Sequence, residues 1–241
     1  DLSWDRRVES YFDLLVAVAD MCAFRQTHAS GFHLAQSQQV WDAYTSEWYA
    51  MDAAYRHMCT AYLRARSVEC DALEEPARAV ADWAENLYSN WFLADANACW
   101  AAAAQGEWAD CGYIDGPARQ DEFYWHVLPA FVGSAKTTVV IVSDALRYEV
   151  ARDVAALLER ERGGNVKVSS MQAVFPSITE VGMPALLPHQ VLELAEDGAF
   201  VLADGMPTAT TPQREAVLTH VEPTARALRS SAYLNMAGTE R

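Results

Sequence analysis

Paired cysteines, a surplus of basic residues and any long apolar run are all missing from this 241-residue sequence. Its five cysteines (Cys22, Cys59, Cys70, Cys99 and Cys111) are odd in number, scattered and free of any CxxC pair. That usage excludes a disulfide framework and a zinc knuckle, and it predicts reduced thiols in a cytoplasmic protein. Lys and Arg total 18 against 33 Asp and Glu, a formal net charge of −15. A broad basic face is thereby excluded, so no direct nucleic-acid binding is expected from charge, although a local basic site stays compatible. No apolar run approaches a membrane span, so no membrane partner is expected. Neither an internal repeat nor a low-complexity tract is found, and no HxH or HxxxH spacing accompanies His189. The chain opens at Asp1 without an initiator Met and reads as a piece of something longer.

What is present divides into two grammars. Hydrophobic residues make up 51% of the chain, enough to bury a substantial core in one large domain or two modest ones. All eight Trp and all five Cys lie at or before Trp125, whereas β-branched strand signals follow Ala135. The boundary is expected near Gly133-Ser134, with a helical region over 1–133 and an α/β domain over 134–241. Trp41, Tyr44, Trp48, Met51, Tyr55, Met58 and Tyr62 recur at helical spacing and predict one long helix with an aromatic seam. Val80, Trp83, Leu87 and Trp91, continued by Ala94 and Ala98, predict a second stripe. A further helix is expected over Val8 to Phe24, and a loop over Gly106 to Gln120. The aromatic seam suits core packing between antiparallel helices, and a partner-docking face is its alternative.

In the second half, Thr137 to Ser143 is a continuous apolar run of the kind found in parallel strands covered on both faces. A helix is expected over Leu146 to Arg162, with Val150, Val154, Leu157 and Leu158 on its apolar side and Gly163-Gly164 ending it. Strands are expected at Val166 to Val174, Val191 to Leu194 and Ala199 to Leu202, and Asp204-Gly205 marks a turn. Helices should lie within Thr179 to Leu187, Thr211 to Thr219 and Thr224 to Tyr233. This alternation predicts a three-layer α/β domain with a mainly parallel sheet, its site beyond the carboxyl ends of the strands.

Four residues carry candidate chemistry. Asp144 ends the apolar run, where a carboxylate could hold a metal or cap the next helix. Arg147 could grip a substrate oxyanion in bidentate fashion, or pair with Glu149 or Asp153. Ser177 and Thr179 follow Phe175-Pro176; Ser177-Ile178-Thr179-Glu180 matches a capping box, and Thr179 is equally a candidate nucleophile at a helix N-terminus. A threonine hydroxyl needs activation for that role, most simply by a metal. His189 reads as structural.

SDALRYE (143–149) followed by FPSITEVGMPALLPH (175–189) resembles the two leading motifs of the PglZ family, a branch of the alkaline phosphatase superfamily, in the form found in BREX bacteriophage-defence systems. The segments 48–62 and 87–100 are similar to the helical region that precedes that domain. The resemblance implies a partial alkaline-phosphatase-like domain after an all-α region. It further implies a phosphatase or phosphodiesterase-type hydrolase acting on phosphate esters with two divalent metal ions, usually zinc. Asp144 matches the first metal-binding aspartate and Thr179 the nucleophile, itself a metal ligand, while Arg147 and Ser177 are candidate substrate contacts. Other phage-defence proteins are the implied partners, and a structural component without catalysis is the alternative. Pro184 departs from the family pattern, and no Asp/His cluster follows Asp204, since His220 stands alone. The site is therefore expected to be incomplete in this chain.

Overall fold

A computed structural model describes residues 2–67, 71–132, 137–162, 165–196 and 198–236. The expected boundary at Gly133-Ser134 and the expected helix end at Gly163-Gly164 lie outside the described residues. The chain forms two compact units that interleave in sequence: Asp1–Gly116 with Ala145–Ser169, and Pro117–Asp144 with Ser170–Arg241. Among the described residues, no helix is long and apolar enough to cross a membrane.

The first unit is helical. It contains α1 (Leu2–Thr27), α2 (Ser37–Ala43), α3 (Tyr49–Arg66), α4 (Asp71–Asn86), α5 (Ala94–Cys111) and α6 (Tyr148–Arg162). A π-helical turn, Tyr44–Trp48, joins α2 to α3 without a break, so the predicted seam does run along one continuous helix. Trp48, Met51 and Met58 of that seam are buried, and Tyr44, Tyr55 and Tyr62 pack against them. Phe32 seals the core, with its ring 4.5 Å from Trp48 and 5.7 Å from Phe92, both edge-on. Such edge-to-face pairs add to what burial alone contributes.

A second π-helical turn, Leu87–Leu93, joins α4 to α5. Here the expected stripe is corrected by one position. The buried line runs through Ala77, Ala81, Ala84, Tyr88 and Phe92, whereas Trp83 is half exposed. Alanines let two helix backbones approach closely, so the seam follows small residues that a search for large side chains passes over. The wider π turn then shifts the helical phase of the residues beyond it. The expected loop is also shortened, because α5 continues through Gly106 to Cys111. It ends at Gly112, whose φ of 76° is the left-handed conformation that terminates helices.

Helix α6 meets α3 through polar groups. Asp153 accepts hydrogen bonds from Arg56 and from His57 Nε2 (2.9 Å). Partial burial pushes the Asp153 carboxyl up, but these two donors outweigh it and hold it below the usual range. Tyr148 donates its hydroxyl to the Thr45 carbonyl at 2.9 Å. The expected apolar side is mostly exposed at Val154, Leu157 and Leu158, and the buried positions are Glu149 and Ala155.

The second unit holds α7 (Thr179–Ala185), β1 (Leu192–Leu194), β2 (Val201–Ala203), β3 (Met206–Pro207), α8 (Thr211–Val221) and α9 (Ser230–Asn235). The three strands lie in the order β1-β2-β3, each pair antiparallel, with Leu192 opposite Ala203 and Ala203 opposite Met206. Asp204 and Gly205, at φ 48° and 77°, make the two-residue turn that Asp-Gly favours in hairpins. The Asp204 carboxylate accepts the amides of Gln190 and Val191, which fixes the approach to β1. Leu187, Ala203 and Val217 form the small core. Thr210 caps α8 in a reciprocal box with Gln213.

Two expected strands do not form. Thr137 to Ser143 has no ladder partner among the described residues and is solvent-exposed, Ile141 at 86%. Val166 to Val174 contributes a single parallel bridge, Gln172 to Arg119. A mainly parallel sheet is therefore not shown among the described residues, where the sheet is small and antiparallel. A strand apolar on both faces needs neighbours on both edges and layers above and below it, and none of these covers 137–143 among the described residues.

The corrected seam can be checked by urea unfolding. Phe92→Ala is expected to cost about 3–5 kcal/mol, and Trp83→Ala within about 0.5 kcal/mol. The reverse order would restore the aromatic stripe to the core.

Candidate active site

The apolar run ends in a turn at Asp144-Ala145. Ala145 has a φ of 56°, a left-handed conformation that costs a residue with a Cβ about 1–3 kcal/mol. Helix α6 begins only at Tyr148, and the Arg147 carbonyl accepts its first amide bond, from Ala151 at 3.0 Å. Asp144 therefore lies too far upstream to cap that helix, and the capping alternative falls away.

Thr179 is the first residue of α7, and its hydroxyl donates to Asp144 Oδ2 at 2.8 Å. Both residues are exposed. The capping box expected at Ser177 does not form. The N-cap residue is Ile178, with no side-chain cap, and Ser177 sits in the exposed turn after the cis Phe175-Pro176 bond. At seven residues, α7 is too short for its dipole to carry the anion attraction expected of a helix N-terminus. Pro184 lies inside α7 and is buried, so the helix accommodates it with one amide bond fewer.

Sequence reasoning passed over Gln120. Its Nε2 donates to the Gly182 carbonyl at 3.0 Å and its Oε1 accepts the Val174 amide at 3.1 Å. One side chain thus ties α7 to the segment that precedes it. The approach is close: a Cβ at position 182 would lie 3.3 Å from that Nε2, tighter than most such contacts. Nothing in the local pattern around Gln120 signals this, because a lone amide in a polar stretch is common.

The other candidates have structural partners. Arg147 reaches Glu149 at 2.8 Å, the pairing alternative, while Asp153 is taken by Arg56 and His57. His189 Nδ1 lies 2.7 Å from the Leu187 carbonyl, and its own carbonyl accepts Trp125 Nε1 at 3.0 Å. No group of three or more His, Cys, Asp or Glu placed to hold a metal occurs among the described residues. Asp144 and Thr179 supply two oxygen donors, fewer than the three or four protein ligands a zinc ion takes. The described residues alone do not fit a two-metal centre.

Comparison with known proteins bears on this pair. The family model for the BREX system PglZ alkaline phosphatase-like domain matches residues 123–239, which include Asp144 and Thr179. The alkaline phosphatase-like protein BrxZ of Escherichia coli O9:H4 (strain HS) is 35% identical over 211 residues, covering 86% of this chain and 24% of that protein. The alkaline phosphatase-like protein PglZ of Bacillus cereus (strain H3081.97) is 33% identical over 199 residues, covering 81% of this chain and 22% of that protein. The chain thus spans about a quarter of the length of the curated relatives it matches. No solved structure matches it. With both motifs inside the matched region and similarity reaching back through the helices, this chain belongs to the BREX PglZ family of alkaline phosphatase-like proteins.

Proposed function

We propose that the full-length protein is a metal-dependent hydrolase of phosphate esters, with Thr179 as nucleophile and Asp144 as its partner. The observation that carries this reading is the 2.8 Å hydrogen bond between the two, made by segments 35 residues apart. A hydroxyl held by a carboxylate is oriented, with a lone pair turned outward, which is the arrangement an activated nucleophile requires. In the proposed reaction the Thr179 hydroxyl gives up its proton to water as its oxygen bonds to phosphorus, the bond from phosphorus to the leaving oxygen breaks, and the leaving oxygen takes up a proton from water. Water then cleaves the phosphothreonine and restores the hydroxyl. Divalent metal, zinc by family resemblance, would stabilise charge on the attacking and leaving oxygens. Asp144 and Thr179 are the donors this chain would contribute to such an ion. Ser177 is placed two residues before the nucleophile, where a transferred group could meet its hydroxyl. The protein would work in the cytoplasm beside other defence-system components.

The same reading makes Thr137 to Ser143 a strand of a mainly parallel sheet in the complete domain. Its exposed Val139, Val140, Ile141 and Val142 support this, since both faces of the segment are apolar. Amides 139–142 of the full-length protein are then expected to resist hydrogen exchange. Exchange at random-coil rates would remove the strand.

Activity is tested with the full-length protein, added zinc and an aryl phosphate or phosphodiester. Thr179→Ala is expected to lower kcat by about a thousandfold or more, and Asp144→Asn by about a hundredfold. Undiminished turnover in Thr179→Ala excludes the nucleophile. Metal analysis decides between this reading and a non-catalytic assembly role. Stoichiometric zinc that falls in Asp144→Ala supports the hydrolase, whereas a correctly folded, metal-free protein supports the assembly component.

A further inference from the structure

Residues 175–180 form a continuous exposed run, and it carries Ser177 and Thr179. Val174 is buried just ahead of the run, and Pro184 and Ala185 of α7 are buried beyond it. An exposed run of this length buries little that could hold it in one conformation, and ordering its backbone costs entropy. Two hydrogen bonds from one side chain close it. Gln120 accepts the Val174 amide before the run at 3.1 Å and donates to the Gly182 carbonyl after it at 3.0 Å.

Gln120 is itself held. Its backbone amide bonds the Gln172 carbonyl at 2.9 Å, and the Gln172 amide bonds the Ala118 carbonyl at 2.7 Å. Gln172 is buried and gives its side-chain amide to the Pro117 carbonyl at 3.2 Å. Segment 117–120 is thereby laced to the chain that leads into the run. At the far end, Gly182 donates its own amide to the Ile178 carbonyl at 2.8 Å, and Ile178 directly precedes Thr179. Leu186 gives its amide to the Met183 carbonyl at 3.3 Å and leaves the Gly182 carbonyl to Gln120. One partner is a donor and the other an acceptor, so the clamp needs both halves of a carboxamide. A carboxylate would keep the acceptor alone, and asparagine is shorter by a methylene group.

We propose that Gln120 is a positioning residue for the Thr179 nucleophile, a role that rests on the reading of Thr179 and Asp144 given above. By joining Val174 to Gly182 it closes the exposed run into a loop, which limits where the first turn of α7 can stand. The Thr179 hydroxyl is thereby kept within reach of Asp144, at 2.8 Å. Gln120 acts through the backbone on either side of the nucleophile.

The test uses Gln120→Met and Gln120→Glu in the full-length protein, read by hydrogen exchange and by kinetics with an aryl phosphate and added zinc. Gln120→Met removes both bonds at similar side-chain length. It is expected to speed exchange at the Val174 and Gly182 amides about tenfold, with α8 amides unchanged, and to lower kcat about tenfold at constant KM. Gln120→Glu keeps the acceptor, so the Val174 amide is expected to stay protected while the Gly182 amide exchanges faster. In the Thr179→Ala background, Gln120→Met is expected to lower the residual turnover no further, because a residue that acts through Thr179 has nothing left to position. Unchanged exchange at both amides overturns the clamp. Equal losses of turnover with and without Thr179 overturn the positioning role, as does a raised KM at unchanged kcat. Should Gln120→Met fold poorly, Gln120→Glu carries the same comparisons. If the wild-type protein turns over no phosphate ester, the nucleophile reading fails by itself, and the exchange result still decides whether Gln120 closes the loop.

Discussion

A hydroxyl and a carboxylate meet at 2.8 Å on the surface of the second unit, and every chemical statement about this chain depends on that contact. Neither group is unusual alone. Threonine at a helix start and aspartate at the end of an apolar run are each common, and each has an ordinary structural use. Their hydrogen bond is exposed and contributes little to stability. Beside it, Gln120 ties α7 to the chain that precedes it, in close contact with Gly182.

The helical unit is built differently. Its core is apolar and aromatic, with Phe32, Trp48 and Phe92 at the centre, and it would stand without any chemical purpose. Polar groups are nevertheless carried inside it. Asp52, half-buried, lies between two tyrosine hydroxyls, and Glu149, fully buried, lies against Arg147. Buried charge of this kind specifies an arrangement more than it stabilises one. Both tyrosines also leave π-helical turns, and each such turn sacrifices regular bonding to aim a side chain.

Much of the architecture is legible in the residues. The long helix through Trp48 and Met58, the α6 span to Arg162, the short α7, the Asp-Gly hairpin and α8 all stand close to where their patterns place them. Other expectations fail for identifiable reasons. Spacing assigns Trp83 to a core that belongs to Ala81 and Ala84, because it weighs size above closeness of approach. The loop expected from Gly106 is helix, since an interior glycine weakens a helix without ending it, and the left-handed Gly112 is the true stop. The parallel sheet rests on apolar content, which says that a segment wants covering but not what covers it.

Within the candidate site, the residues are named by the sequence, and their hydrogen-bond and ion-pair partners come only from the fold. Asp144, Arg147, Ser177 and Thr179 each carry two uses at the level of pattern. Periodicity, caps and turn conformations act over a few residues, so a linear reading determined the helices, the hairpin turn and the two motifs that mark the family. The partner of a charged or hydroxylated side chain is chosen across 35 residues for Asp144 and Thr179, and across 36 for Asp52 and Tyr88. Only the tertiary structure could decide those pairings, because a hydrogen bond or ion pair depends on distance and direction in space, which spacing along the chain does not encode.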